Sequence, residues 1–124
     1  MRQVIVTDKA PVPKGPYSQA IRTGQLVFVS GQLPIDPAAG RIIATSVEDQ
    51  TAQVLNNIAA VLEAAGTSLQ NVVKVGVFLA NMNDFPAFNA TYERFFPNEP
   101  PARTTVQAVL PNGLLEMDAI AWVP

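Results

Sequence analysis

The sequence predicts a single α/β domain of the α+β kind, in which a mixed sheet carries two helices on one face. Three observations lead there. Two segments, Ser46–Ala65 and Asp84–Phe96, repeat apolar residues at helical spacing, while β-branched runs bounded by glycine and proline surround them. Between the two, Asn71–Ala80 (NVVKVGVFLA) is almost continuously apolar, as expected of a central strand buried on both faces. Finally, 11 prolines and 7 glycines punctuate short segments throughout, with no linker, repeat or low-complexity tract, so residues 1–124 form one domain.

Element by element, Met1–Thr7 alternates Val4 and Val6 and reads as a strand. Pro11, Pro13 and Pro16 with Gly15 then enforce an irregular loop, since each proline removes a backbone donor. Tyr17–Arg22 is a short strand. Leu26–Ser30 (LVFVS) is a strand bounded by Gly24 and Gly31. Ile35–Gly40 is a turn, and Arg41–Ala44 a short return strand. Ser46 followed by Asp49 resembles a capping box, and Gly66 is placed to close the helix. Within it Val47, Val54, Leu55, Ile58, Val61, Leu62 and Ala65 form one stripe. The second helix has Pro86 in its first turn, and its Phe85, Phe88, Tyr92, Phe95 and Phe96 make a core-facing stripe. Thr104–Leu110 and Leu115–Val123 are closing strands joined by the turn Pro111-Asn112-Gly113. The order is β-β-β-α-β-α-β-β.

Two helices cover one face of such a sheet. The other is expected to present Val27, Val29, Val75 or Val77, and Val106, an apolar surface that calls for a homo-oligomer with sheets packed inward. Hydrophobic residues at 48% and charged ones at 15% suffice for a core and exclude compositional disorder. Eight basic against ten acidic side chains leave a net charge of −2, which disfavours a nucleic-acid partner. The chain has 0 cysteines and 0 histidines, which excludes disulfides, thiolate nucleophiles, Cys/His zinc sites and imidazole catalysis. Apolar stretches such as Val75–Ala80 fall far short of the ~20 residues that span a bilayer. The N-terminal stretch lacks the apolar region of a secretory signal, so a cytoplasmic protein is expected, an organellar copy with a trimmed transit peptide being the other possibility.

Few side chains are left to carry chemistry. Arg103 follows Pro100-Pro101-Ala102 and opens a strand, so a stiff approach positions a guanidinium able to grip a carboxylate through two parallel hydrogen bonds. A solvated surface arginine is the competing reading. Glu116 interrupts the apolar strand LLEMDAIAWV on the same face as Asp118, Ile120 and Trp122; it could orient or deprotonate water, or simply blunt an exposed edge. Tyr17 could lend a hydroxyl to a ligand or anchor its loop. Ser30-Gly31 lets a ligand approach the backbone or merely ends a strand. Asn89 flanks the apolar stripe of the second helix. Ser18 has no histidine to activate it, and Asp84, Glu93 and Glu99 lack metal-ligand spacing. The glycines match no phosphate loop, and no cofactor is expected.

Six stretches taken together are similar to the Rid (YjgF-type) family of reactive-intermediate deaminases, nearly end to end. They are GPYSQA at 15–20, VSGQLP at 29–34, EAAG at 63–66, NDFPAFNATYERFF at 83–96, PARTTV at 101–106 and LEMDAIA at 115–121. The resemblance implies a chorismate-mutase-like fold and a homotrimer with active sites between subunits. It implies hydrolysis of enamines and imines, notably 2-iminopropanoate and 2-iminobutanoate, to 2-keto acids and ammonia without a cofactor. Arg103 would hold the substrate carboxylate and Glu116 the attacking water. Tyr17 and Gly31 would line the pocket, and Ser30 and Asn89 fall on pocket positions. Thr105 also belongs to the substrate-contacting set, but it stands where members often carry cysteine, so thiol-dependent properties should be absent. Asp118 stands where glutamate is frequent, with little expected consequence. The rival readings are a single-stranded-RNA endoribonuclease that inhibits translation, for which an acidic chain without histidine is poorly equipped, and a small-carboxylate-binding regulator.

Overall fold

The computed structural model describes residues 1–124. The strands are Arg2–Ile5 (β1), Ala20–Thr23 (β2), Leu26–Gln32 (β3), Ile35–Asp36 (β4) and Arg41–Ile42 (β5). There follow the helix Val47–Ala64 (α1), strand Val72–Leu79 (β6), helix Phe85–Phe95 (α2) and strands Ala102–Gln107 (β7) and Leu115–Trp122 (β8). Six strands form a mixed sheet in the order β1-β2-β3-β8-β6-β7, and β4 with β5 makes a separate small hairpin. Every neighbouring pair in the large sheet is antiparallel except β6 and β7. Those two are parallel because α2 carries the chain back between them, as a parallel pair requires.

Local chemistry sets the limits of α1. The Ser46 hydroxyl oxygen accepts from the Asp49 N–H at 3.1 Å, satisfying one orphan donor of the first turn. At the other end Thr67 N–H donates to Leu62 O and Gly66 N–H to Glu63 O, with Gly66 at φ 92°. This is a Schellman close, and its left-handed position is open to glycine at no steric cost. Between these caps Val54, Leu55, Ile58, Val61 and Leu62 bury against the sheet. α2 adds Phe88 and Tyr92, and Phe96 just beyond its end continues the row, the ring centroids following one another 5.3 and 4.7 Å apart. Twenty-four buried apolar residues form one contiguous core between the helices and a single face of the sheet. No helix is long and apolar enough to cross a membrane.

Several expectations need correction. β6 is buried on one face only: Val75, Val77 and Leu79 are inside, while Gly76 and Phe78 are half-covered. The valines expected on the bare face, Val27, Val29, Val75 and Val77, are all buried beneath the helices, and of that set only Val106 is exposed. Alternation tells which residues share a face, not which face the helices choose. The bare face instead presents Leu26, Phe28 and Trp122, with Ile120 and Phe78 half-buried.

The second strand begins at Ala20, not Tyr17, because its partner β3 leaves regular register there. Val29 pairs with Ala119 but Gln32 with Met117, so Ser30 and Gly31 together oppose Asp118 in a bulge. β1 ends at Ile5, the expected turn opens with the two residues of β4, and β5 stops at Ile42. β7 runs Ala102–Gln107 rather than Thr104–Leu110, and β6 separates it from β8, so the Pro111–Gly113 turn joins strands that do not pair.

Replacing Ser46 by alanine should lower stability by about 1 kcal/mol, the usual worth of a serine N-cap. Urea unfolding should show a lower midpoint at unchanged m-value.

Candidate functional site

The candidate residues gather in two recesses on opposite sides of the sheet. The first is built around Arg103. Its neighbour in the ladder is Val75, so it shares the helix-covered face, but β7 is the edge strand and its side chain reaches the rim under α2. Asn89, Tyr92 and Glu93, which share one face of α2, and Phe96 just past its end line a cleft with Pro100, Pro101 and Arg103. The Arg103 guanidinium carbon lies 4.8 Å from the ring centre of Tyr92, 5.3 Å from Phe88 and 5.6 Å from Phe85. Three buried polar atoms of this region have no hydrogen-bond partner: Asn89 Oδ1, Tyr92 OH and Thr105 Oγ1. Burial, only partly countered by the Arg103 charge, pushes the Tyr92 phenol up to about 12, so it stays protonated and neutral.

The second recess lies on the bare face. Glu116 projects there from β8 and lines it with Tyr17, Ser30, Gly31, Leu33 and Pro111. The bulge at Ser30–Gly31 makes this contact possible. A side chain at position 31 would run into the Glu116 carboxylate, so glycine is needed for the carboxylate to lie against the backbone. Burial, and then the like charge of Asp118, raises the Glu116 carboxyl above its ordinary value. Asp118 spends one oxygen as acceptor from the Gly76 N–H at 3.0 Å.

Ser30 and Tyr17 belong to the walls of this recess. The Ser30 hydroxyl donates to Ser18 O at 2.6 Å, tying β3 to the loop that carries Tyr17. The Tyr17 hydroxyl accepts weakly from the Lys14 N–H at 3.4 Å, and the ring remains about half exposed. Gln19 pins the same loop from inside: its buried amide donates to Thr7 O and Pro11 O and accepts from the Thr7 N–H.

One chain thus brings Glu116, Tyr17, Ser30 and Gly31 together, and separately Arg103 and Asn89, with Thr105 two residues along the same face of β7. It does not bring Arg103 to Glu116. Tyr92 is the residue the sequence reading assigned to core alone. Its spacing of three residues from Asn89, which flanks the aromatic stripe, is the signal that its edge also faces the cleft.

Residues 7–123 match the model of the family described as endoribonuclease L-PSP. The chain belongs to this family, the Rid family. Among Rid relatives, a RutC family protein of Pyrococcus horikoshii is 51% identical over 98% of each chain. A goat (Capra hircus) protein named 2-iminobutanoate/2-iminopropanoate deaminase is 45% identical over 98% of this chain and 90% of its own. The crystal structure of E. coli TdcF with bound serine superposes with a TM-score of 0.93 at 39% identity, covering 98% of this chain and 99% of that one.

The raised Glu116 carboxyl has a consequence for stability. Its folded-state pKa lies above the unfolded value, so the ionised form is penalised in the fold, and stability falls as pH rises through that window. Glu116→Gln, neutral throughout, should therefore be more stable than wild type at pH 7, with the gap closing below about pH 4, where both side chains are uncharged. Urea titrations at the two pH values decide it.

Proposed function

We propose that this Rid protein is a cytoplasmic deaminase that hydrolyses reactive 2-imino acids, such as 2-iminopropanoate and 2-iminobutanoate, to 2-keto acids and ammonia. The observation that carries the reading is the setting of Arg103. Its guanidinium sits at a cleft, is backed by aromatic rings and is paired with no carboxylate of its own chain. Such a group is suited to a small carboxylate, which it would grip through two parallel charge-assisted hydrogen bonds. The name of the goat relative and the serine in the TdcF structure, itself an α-amino carboxylate, support the same ligand class.

In the proposed reaction Arg103 fixes the carboxylate of the imine and so removes orientational freedom before reaction. Glu116 holds a water over the C=N carbon. As the water oxygen bonds to that carbon, Glu116 takes its proton and the π pair moves to nitrogen. Glu116 returns that proton to the nitrogen to give the neutral adduct. As the adduct collapses its hydroxyl gives up the second proton, which passes through Glu116 to the nitrogen. The carbonyl forms, and the C–N bond breaks to release ammonia carrying both protons of the water. A carboxyl whose pKa burial raises above its ordinary value is a better proton acceptor for this two-way transfer. Tyr17, Ser30 and Gly31 shape the wall on the Glu116 side, and Asn89 and Thr105 complete the Arg103 side.

Because Arg103 and Glu116 face opposite sides within one chain, the proposed site is closed by a second copy. The bare face with Leu26, Phe28 and Trp122 is the surface through which copies would pack, in the trimer that the family resemblance implies. A net charge of −2 and the absence of histidine weigh against cleavage of RNA.

The test is release of keto acid or ammonia from imino acids generated in place by an amino-acid oxidase. Arg103→Ala should lower kcat/KM about a hundredfold, the worth of a bidentate charge-assisted pair, and Arg103→Lys should recover only part of it. Glu116→Gln should lower kcat between ~10²- and ~10⁴-fold with little change in KM. No acceleration by wild type, or an unchanged Arg103→Ala, would sink the assignment.

A further inference from the structure

We propose that Tyr92, with Phe88 and Phe85 beside it, is the positioning residue that holds the Arg103 guanidinium ready for a carboxylate. The inference rests on the reading of Arg103 as the carboxylate clamp. A long arginine side chain at an edge strand has many rotamers, and a clamp that must first be ordered binds weakly. Arginines that are held in one geometry are commonly held by an acidic partner. That solution would be self-defeating here, because an internal carboxylate would occupy the donors that the ligand needs.

The structure supplies another solution. Three rings from one turn-spaced set on α2, at 85, 88 and 92, surround the guanidinium, with Tyr92 the nearest. Each attracts the cation through its π face and takes none of its N–H donors. The rings are themselves fixed. Phe88 is fully buried and Tyr92 nearly so, and the two are packed 5.3 Å apart with Phe96 continuing the row. The Tyr92 hydroxyl is buried without a hydrogen-bond partner, so it makes no bond that competes for the guanidinium. Because the phenol stays neutral, Tyr92 itself adds no negative charge beside an incoming anion; Glu93, the one acid lining the cleft, is exposed and forms no ion pair with Arg103. The ring, not the hydroxyl, carries the role.

This separates two kinds of substitution. Tyr92→Leu keeps an apolar side chain but removes the ring; it should weaken binding of pyruvate, used as a simple 2-keto carboxylate, about tenfold by calorimetry. KM for 2-iminobutanoate should rise by a similar factor while kcat moves less than threefold, since the reacting water is on the other side of the site. Tyr92→Phe should restore both constants to within about twofold of wild type. Circular dichroism and urea unfolding check that each variant is folded; should Tyr92→Leu fail to fold, Phe85→Leu at the half-buried outer ring decides, with about a threefold loss expected. Unchanged pyruvate affinity in the ring-less variant overturns the proposal, as does a Tyr92→Phe loss as large as that of Tyr92→Leu, which would move the role to the hydroxyl. Wild type binding no pyruvate overturns it too. Wild type that binds pyruvate but hydrolyses no imine leaves the clamp standing and removes the deaminase assignment.

Discussion

The alternation of β8 is the constraint on which the rest of the molecule depends. This strand lies in the middle of the sheet, paired on one side with β3 and on the other with β6. Its odd-numbered residues Leu115, Met117, Ala119 and Ala121 point beneath the helices and close the core. Its even-numbered residues Glu116, Asp118, Ile120 and Trp122 must then stand on the opposite face. A one-residue slip would drive two carboxylates into a core that offers them no partner, at a cost no other feature of the fold could offset. Register and the location of the carboxylates are therefore one decision.

The neighbouring strands are adapted to those carboxylates in a matched way. On β3 a bulge brings Gly31 against Glu116; on β6 Gly76 lies against Asp118. Either glycine exchanged for a larger residue would put a side chain into a carboxylate. The two acids nevertheless differ in what is left free. Asp118 binds the Gly76 N–H, so its charge is part of the sheet's own hydrogen bonding. Glu116 rests on a glycine that offers it space, and its charge is opposed by burial and by Asp118. Adjacent acids on one strand face thus separate into a structural group and one that, on the proposed reading, accepts a proton from water.

Much of this was legible in the sequence, and the omissions have physical causes. Both helices could be read because their ends are written locally, in Ser46, Gly66 and Pro86. Arg103 and Glu116 stand out because each breaks a local pattern, the one after a Pro-Pro approach and the other within an apolar strand. The valine faces came out inverted because alternation defines parity only; the sign is set when α1 and α2 choose a side. The separation of Arg103 from Glu116 was hidden for a related reason. It follows from β7 lying parallel to β6 at the far edge, a non-local consequence of the α2 crossover. Tyr92 was hidden by its own chemistry, since a tyrosine in a phenylalanine stripe satisfies the core pattern before anything else is asked of it.

That separation bears on why the chain is built as it is. Were the Arg103 guanidinium and the partly buried Glu116 carboxylate within reach of each other in one chain, an ion pair would spend both on structure; the exposed Glu93 that lines the Arg103 cleft forms no such pair. With a sheet between them, each keeps its charge uncompensated within the chain, the arginine against aromatic faces and the glutamate against a glycine and a second acid. On the proposed reading, they meet only where a second copy brings its recess to the first, with the substrate's carboxylate taken by one and its water by the other. The bare apolar face then does more than bury surface. On the same reading, assembly is the step that turns two unspent charges into one site.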